Sequence, residues 1–301
     1  MIITISPTYL SLSAFCFATV LAPLSCDAAE TGGSSYLPGF YGDFGMAVTP
    51  APGNYLSNFA GYYTAEENGS NNHLLFELPG IMRVTETKIF GGNYWLGFFP
   101  YVLHTGFSST APNGVKNQSS RGGAGDMYAM PFALSWQWQD LSILVFEGIV
   151  LPTGAYDKNR AINAGRNYWT FDNNLSLTWL PKGTDLELSV TLGYMVNTEN
   201  PATHYRTGDE LHFDYFGGYY FTPSFGVGIA GSFYRQLSVD TGAGAPSGLE
   251  LAEYSSIGPA AMYTLKMGEK DVTFSLKWLH EYNVNNHIPG DYVIVRTGLN
   301  F

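Results

Sequence analysis

His212 and Asp214 stand two residues apart in an alternating stretch, so a β-strand would place both side chains on one face. An imidazole beside a carboxylate suits general acid–base chemistry or metal ligation. Neither chemistry is completed nearby. A hydroxyl nucleophile needs such a base within hydrogen-bond reach. None of His73, His104, His204, His212, His280 and His287 is followed two residues later by Ser. The two cysteines, Cys16 and Cys26, both lie near the amino terminus, and no Cys/His ligand spacing occurs. There is no Gly-rich phosphate loop and no basic stripe. The net charge of −11 argues against nucleic acid, whose phosphates need clustered Lys and Arg. The sequence therefore implies no catalytic, metal or cofactor-binding residues.

The elements that would carry these residues are strands. Only 13% of the chain is charged, 16% is aromatic and 35 residues are Gly, yet beyond the amino terminus no apolar run is long enough to cross a bilayer as a helix. From Asp185 to Asn197, Leu186, Leu188, Val190, Leu192, Tyr194 and Val196 alternate with Glu187, Ser189, Thr191 and Gly193. The same period of two appears from Val272 to Glu281 and from Met127 to Trp138. Twelve such segments are expected: 54–64, 75–89, 93–106, 125–138, 141–151, 167–180, 184–197, 210–222, 225–237, 254–267, 271–281 and 291–301. Long polar loops at 65–74, 107–124, 152–166, 198–209, 238–253 and 282–290 alternate with short turns. That asymmetry, with strands that must pair on both edges in lipid, predicts an all-β, transmembrane, antiparallel up-and-down barrel of about twelve strands. An even count puts both chain ends on the short-turn, periplasmic side.

The ends agree with export. Residues 1–28 read as a signal peptide, with an apolar core from Leu10 to Leu24 and small residues that suit cleavage after Ala28 or Ala29. An uncleaved anchor and a lipoprotein signal using Cys26 are the alternatives. Cleavage after Ala28 removes both cysteines and Asp27, changing the formal charge from −11 to −10. The last strand alternates Val293, Val295, Thr297, Leu299 and Phe301 with Arg296, Gly298 and Asn300. Its terminal aromatic resembles the signal read by the outer-membrane assembly machinery. The expected location is the outer membrane of a Gram-negative bacterium, among its lipids and lipopolysaccharide. Residues 29–52, which contain Phe40-Tyr41-Gly42-Asp43-Phe44, form a periplasmic tail, an added strand or a lumen plug ahead of a barrel at 53–301.

Several short stretches carry a resemblance. They are Pro52-Gly53-Asn54-Tyr55, Gly125-Asp126, Pro152-Thr153-Gly154-Ala155-Tyr156-Asp157, and a series from Asn200-Pro201 through Glu210-Leu211-His212-Phe213-Asp214-Tyr215 to Tyr234-Arg235-Gln236 and Asp240. In this order they resemble the outer-membrane transporter family named after the MetA pathway of phenol degradation. The resemblance implies a porin or transporter, associated with uptake of hydrophobic or aromatic small molecules, and no catalytic residues.

On these registers the lumen should receive Glu77, Arg83, Glu147, Asp172, Asp185, Glu187, Asp214, Lys266, Lys277, Glu281 and Arg296, seven acids against four bases. Glu147 is turned inward because a carboxylate against lipid is costly. Such a lining would favour cations weakly, or form a paired network filling the barrel. Phe216, Tyr220, Tyr234 and Tyr292 should also face inward, as stacking surfaces or as filling. Trp136, Trp138, Trp169, Trp179 and Trp278 should form interfacial girdles. A channel for hydrophobic or aromatic solutes is the expected function. A non-conducting structural or adhesive barrel and a membrane hydrolase acting through His212 and Asp214 are the alternatives.

Overall fold

In a computed structural model the alternating segments close on themselves. The structure describes residues 29–30, 33–110, 114–246, 248, 250–268 and 270–301, so the expected signal segment lies outside the described residues. The strands are β1 (Gly53–Glu67), β2 (Ser70–Ile89), β3 (Gly92–Phe99), β4 (Val102–Thr110), β5 (Lys116–Ala124), β6 (Met127–Trp138), β7 (Leu141–Leu151), β8 (Thr170–Trp179), β9 (Leu186–Asn197), β10 (Glu210–Thr222), β11 (Phe225–Gln236), β12 (Glu253–Met267), β13 (Lys270–Asn285) and β14 (Gly290–Asn300). β1 pairs antiparallel with β14 on one side and with β2 on the other, so no edge is left at the seam.

Two staves of the barrel are each made of two strands. β2 pairs with β4 over Ser70–Glu77 and with β3 over Ile81–Ile89. β4 pairs with β5, and β3 with β6. The first stave breaks at Pro100 and Tyr101, where proline supplies no ladder N–H. The second breaks at Gly125 and Asp126, and the Gly125 N–H donates to the Tyr101 carbonyl at 2.8 Å. Counting each broken pair once gives a closed antiparallel barrel of twelve staves.

The strands run further than alternation alone indicates. The expected long loop 65–74 is a two-residue turn, Asn68 (φ 49°) and Gly69 (φ 77°), between β1 and β2. Positive φ at both positions matches the twist of a tight hairpin. The expected loop 107–124 is mostly the β4–β5 hairpin, and β13 continues to Asn285. Beyond lipid both faces of a strand can be polar while its backbone stays paired, so the sequence signal fades before the strand does. Long connections remain at 152–169, 198–209 and 237–252, irregular over their described residues.

The wall is apolar outside and largely polar inside. On β8, Thr170, Asp172, Asn174, Ser176 and Thr178 are buried within the barrel, whereas Phe171, Leu175 and Trp179 are exposed on its outer face. Leu188, Leu192, Ile229, Ile257, Leu276, Val293 and Val295 extend that outer surface. This is the polarity a bilayer requires of a spanning barrel. Trp138, Trp169, Trp179 and Trp278 are all exposed on it.

Residues 33–52 run through the interior. Arg166 and Asp214 hold their start, and Gly45 and Ala47 bond to Glu187 and Thr178 on the wall, before the chain enters β1. Ala29 lies among the long connections, bonded to Asp240. Phe301 donates from its N–H to the Asn54 carbonyl at the opposite rim. The expectation that both described ends share the short-turn side is therefore corrected. Twelve staves fix the rim at which β1 starts, and the preceding segment then crosses the barrel to the other rim.

Candidate functional site in the barrel lumen

The lumen is filled by the inner segment, whose side chains divide by chemistry. Its tyrosines meet the polar wall. The Tyr36 hydroxyl donates to Asp214 Oδ1 at 2.9 Å, and the Tyr41 hydroxyl donates to Asp172 Oδ2 at 2.8 Å. Both carboxylates also hold His212. Its Nε2 lies 2.9 Å from Asp172 Oδ1 and its Nδ1 lies 3.2 Å from Asp214 Oδ2. The imidazole is stacked between Tyr36, with ring centroids 4.3 Å apart, and Tyr41, at 5.4 Å. Gly193 makes this possible, because a Cβ there would sit 1.9 Å from His212 Nε2. With both ring nitrogens on carboxylates and the ring fully buried, His212 has no nitrogen facing a hydroxyl nucleophile. The arrangement holds the inner segment against the wall.

The apolar side chains of the segment meet the other half of the wall. Leu37, Phe40 and Phe44 pack on a cluster containing Phe59, Phe76, Leu78, Phe99, Phe216, Leu279 and Ile294. Phe40 lies 4.4 Å from Phe59 and Phe44 lies 4.3 Å from Phe216, between ring centroids. Between these two halves sits Asp43, which is 2% exposed. Its Oδ2 is 3.5 Å from Arg296 Nη1 and 4.0 Å from Lys277 Nζ, and it accepts from Ser275 at 3.0 Å. Lys277 is itself buried and donates to the Gly39 and Gly42 carbonyls at 2.6 and 2.8 Å. A buried ammonium needs this set of acceptors, since an unpaired one would carry the full desolvation cost.

Of the residues expected to face the lumen, Asp172, Glu187, Asp214, Phe216, Tyr220, Tyr234, Lys277 and Arg296 point inward, as do Glu281 and Tyr292. Tyr220 donates to Glu187 at 2.5 Å and Tyr234 to Glu210 at 2.6 Å. Tyr234 stacks between Tyr36 and Tyr254, at 6.0 and 4.6 Å. Glu77, Arg83 and Glu147 are corrections, because they point outward. Glu77 accepts from Asn58 at 3.0 Å and Arg83 donates to Asn54 at 2.8 Å, both on the exposed surface of β1 and β2. Glu147 is opposite Asn173 in the register of β7 and β8. The reason lies in their neighbours. Phe76, Leu78, Val84, Leu144 and Phe146 have the buried places, because the filled lumen is not water and presents apolar surface to these strands. Each outward polar side chain then faces a polar group on the adjoining strand.

Asp126 and Gly154, which the sequence marks only as carriers of the resemblance, complete the site with Arg166 at the long-connection rim. Asp126, at the break between β5 and β6, accepts from the Gly154 and Arg166 backbone N–H groups at 2.8 and 2.6 Å. Arg166 in turn donates to the Ser34 carbonyl at 2.6 Å, which ties the start of the inner segment to the 152–169 connection. Gly125-Asp126 and Pro152-Thr153-Gly154 are thus neighbours in space. A Cβ on Gly154 would lie 2.8 Å from the Gly125 carbonyl carbon.

A family model described as Putative MetA-pathway of phenol degradation matches residues 38–297, nearly the whole barrel and most of the inner segment. The chain belongs to that family. No curated protein matches it. Among solved structures it is similar to the COG4313 outer membrane channel from Pseudomonas putida F1, at 14% identity and a TM-score of 0.65, covering 88% of this chain and 100% of that one. This likeness is one of fold. The translocator domain of the autotransporter NalP from Neisseria meningitidis gives 11% identity and a TM-score of 0.47 over 85% of this chain and 91% of that one. A Pseudomonas aeruginosa FadL homologue gives 7% and 0.43 over 83% and 90%. For this member of the phenol-degradation family, the feature shared with the COG4313 channel is a closed antiparallel barrel, and the arrangement within it is read from its own residues.

Proposed function

We propose that this protein is an outer-membrane channel for small hydrophobic or aromatic molecules, closed at rest by residues 33–52. One observation carries the reading: the lumen is occupied by a segment that belongs to no stave, so it can move without opening the wall. That segment rests on an aromatic lining that includes Phe216, Tyr220 and Tyr234, with Phe216 belonging also to the apolar cluster under Leu37, Phe40 and Phe44. An apolar solute needs such a path, because water in a polar pore is the poorer medium for it. The family's link to phenol degradation supports the same solute class.

The test is growth or uptake on a phenolic compound in cells with the protein, without it, and with Phe216, Tyr220 and Tyr234 all changed to Ser. Uptake should fall in the last two strains. Equal uptake in all three would remove the solute assignment. The filled lumen also favours a second reading, a structural barrel that does not conduct. Planar-bilayer recording separates the two, since that reading expects no current with or without the inner segment.

A further inference from the structure

The rim at which the inner segment begins holds a carboxylate cluster that neither the barrel nor the transport reading uses. Asp240 is 9% exposed. Its Oδ1 accepts from the Gly208 N–H at 2.8 Å and from Gln236 Nε2. Its Oδ2 accepts from the Tyr205 hydroxyl and from the Ala29 N–H, the latter at 2.9 Å. Glu30, also 9% exposed, is next to it in the same corner. It accepts from Thr203 at 2.7 Å and from Asn200 at 2.9 Å. Among the described residues no Lys, Arg or His forms an ion pair with either carboxylate. All the donors around Asp240 are neutral, and a buried carboxylate held by neutral donors alone is an expensive arrangement.

We propose that Asp240 is the receptor for the mature amino terminus, and that the chain is cleaved between Ala28 and Ala29. Hydrolysis of that peptide bond gives residue 28 a carboxylate and Ala29 a free amine, protonated at neutral pH. The nitrogen that now donates as a neutral amide then donates as an ammonium, at a position already 2.9 Å from Asp240 Oδ2. It supplies the missing positive charge to a corner with two carboxylates. The backbone at this point agrees. Ala29 has φ 70°, a left-handed conformation unfavourable for a residue with a Cβ. That clash involves the preceding peptide group, so cleavage after Ala28 abolishes it. Cleavage after Ala29 would instead remove the residue whose nitrogen meets Asp240. Processing would thus complete the anchor of the inner segment at its first residue.

The experiment uses the full chain, exported and purified from outer membranes. Amino-terminal sequencing and intact mass should give Ala29 as the first residue. A chain beginning at Glu30, or one retaining the leader, overturns the proposal. The folded protein is then treated with an aldehyde selective for α-amines. Labelling should be about tenfold slower than in the heat-unfolded chain. Asp240→Asn, which keeps the size of the side chain but loses the charge and one acceptor oxygen, should abolish most of that protection. Should Asp240→Asn fail to fold, a Gly-Ser insertion after Ala28 displaces the ammonium without touching the barrel and should have the same effect. Protection unchanged in the folded variant overturns the proposal. Conductance is a separate readout, so failure here leaves the channel reading untouched.

Discussion

Asp43 ties the inner segment to the wall through charge. It is the counter-ion of Lys277, whose ammonium is 2% exposed, and it also pairs with Arg296. Removing one partner of a buried pair leaves the other uncompensated. Asp43→Ala should therefore cost about 3–5 kcal/mol in a urea titration of the refolded barrel. A loss below about 1 kcal/mol, the scale of an exposed pair, would show that the Gly39 and Gly42 carbonyls suffice for Lys277. Arg296 is easier to satisfy, since it is partly exposed and its guanidinium lies 5.4 Å over the Phe59 ring. Arg296→Met should accordingly be milder than Asp43→Ala in the same titration.

At the scale of the element, β9 and β10 are matched to the ring they enclose. Gly193 opposes His212 in their register, and the imidazole lies over the place a Cβ would take. Gly193→Ala should push His212 off Asp172 and cost about 1–3 kcal/mol, the usual range for overpacking a filled interior. Gly217, on the adjoining stretch of β10, is the control. A Cβ there meets only Leu188 Cδ2, at 3.5 Å, an ordinary contact, so Gly217→Ala should be close to neutral. Thermal midpoints of the folded band on a gel would compare the two. Equal shifts would mean that the glycine at 193 serves the strand in general and not the His212 seat.

For the whole molecule, closure of the wall and filling of the lumen are separable. The seam is made by β1 with β14, from Tyr55 opposite Asn300 to Ala65 opposite Gly290, and it uses no residue before 53. Deleting residues 33–47 behind an intact leader should leave a heat-modifiable barrel and raise its planar-bilayer conductance. A deletion that folds yet conducts no more than the parent would remove the closed-channel reading. The interior such a deletion exposes is mixed, with Asp172, Glu187, Glu210 and Asp214 on one side and Phe59, Phe76 and Leu78 on the other.

The sequence by itself determined the barrel. A period of two puts alternate side chains on opposite faces whatever the surroundings, so Glu187 and Leu188 had to part. Twelve staves and the inward Asp172, Asp214, Phe216, Tyr220, Tyr234, Lys277 and Arg296 follow from that local rule. Tertiary structure alone decided which face was which on strands apolar on both sides. Glu77, Arg83 and Glu147 turned outward because a chain segment, not water, fills the lumen and places apolar side chains against those strands. It also decided the site. His212 joins Asp172 across forty residues, and Tyr36 and Tyr41 join them from a stretch with no period of its own. No spacing in one dimension records where a segment without regular structure will lie, because its position is set by the surfaces it meets.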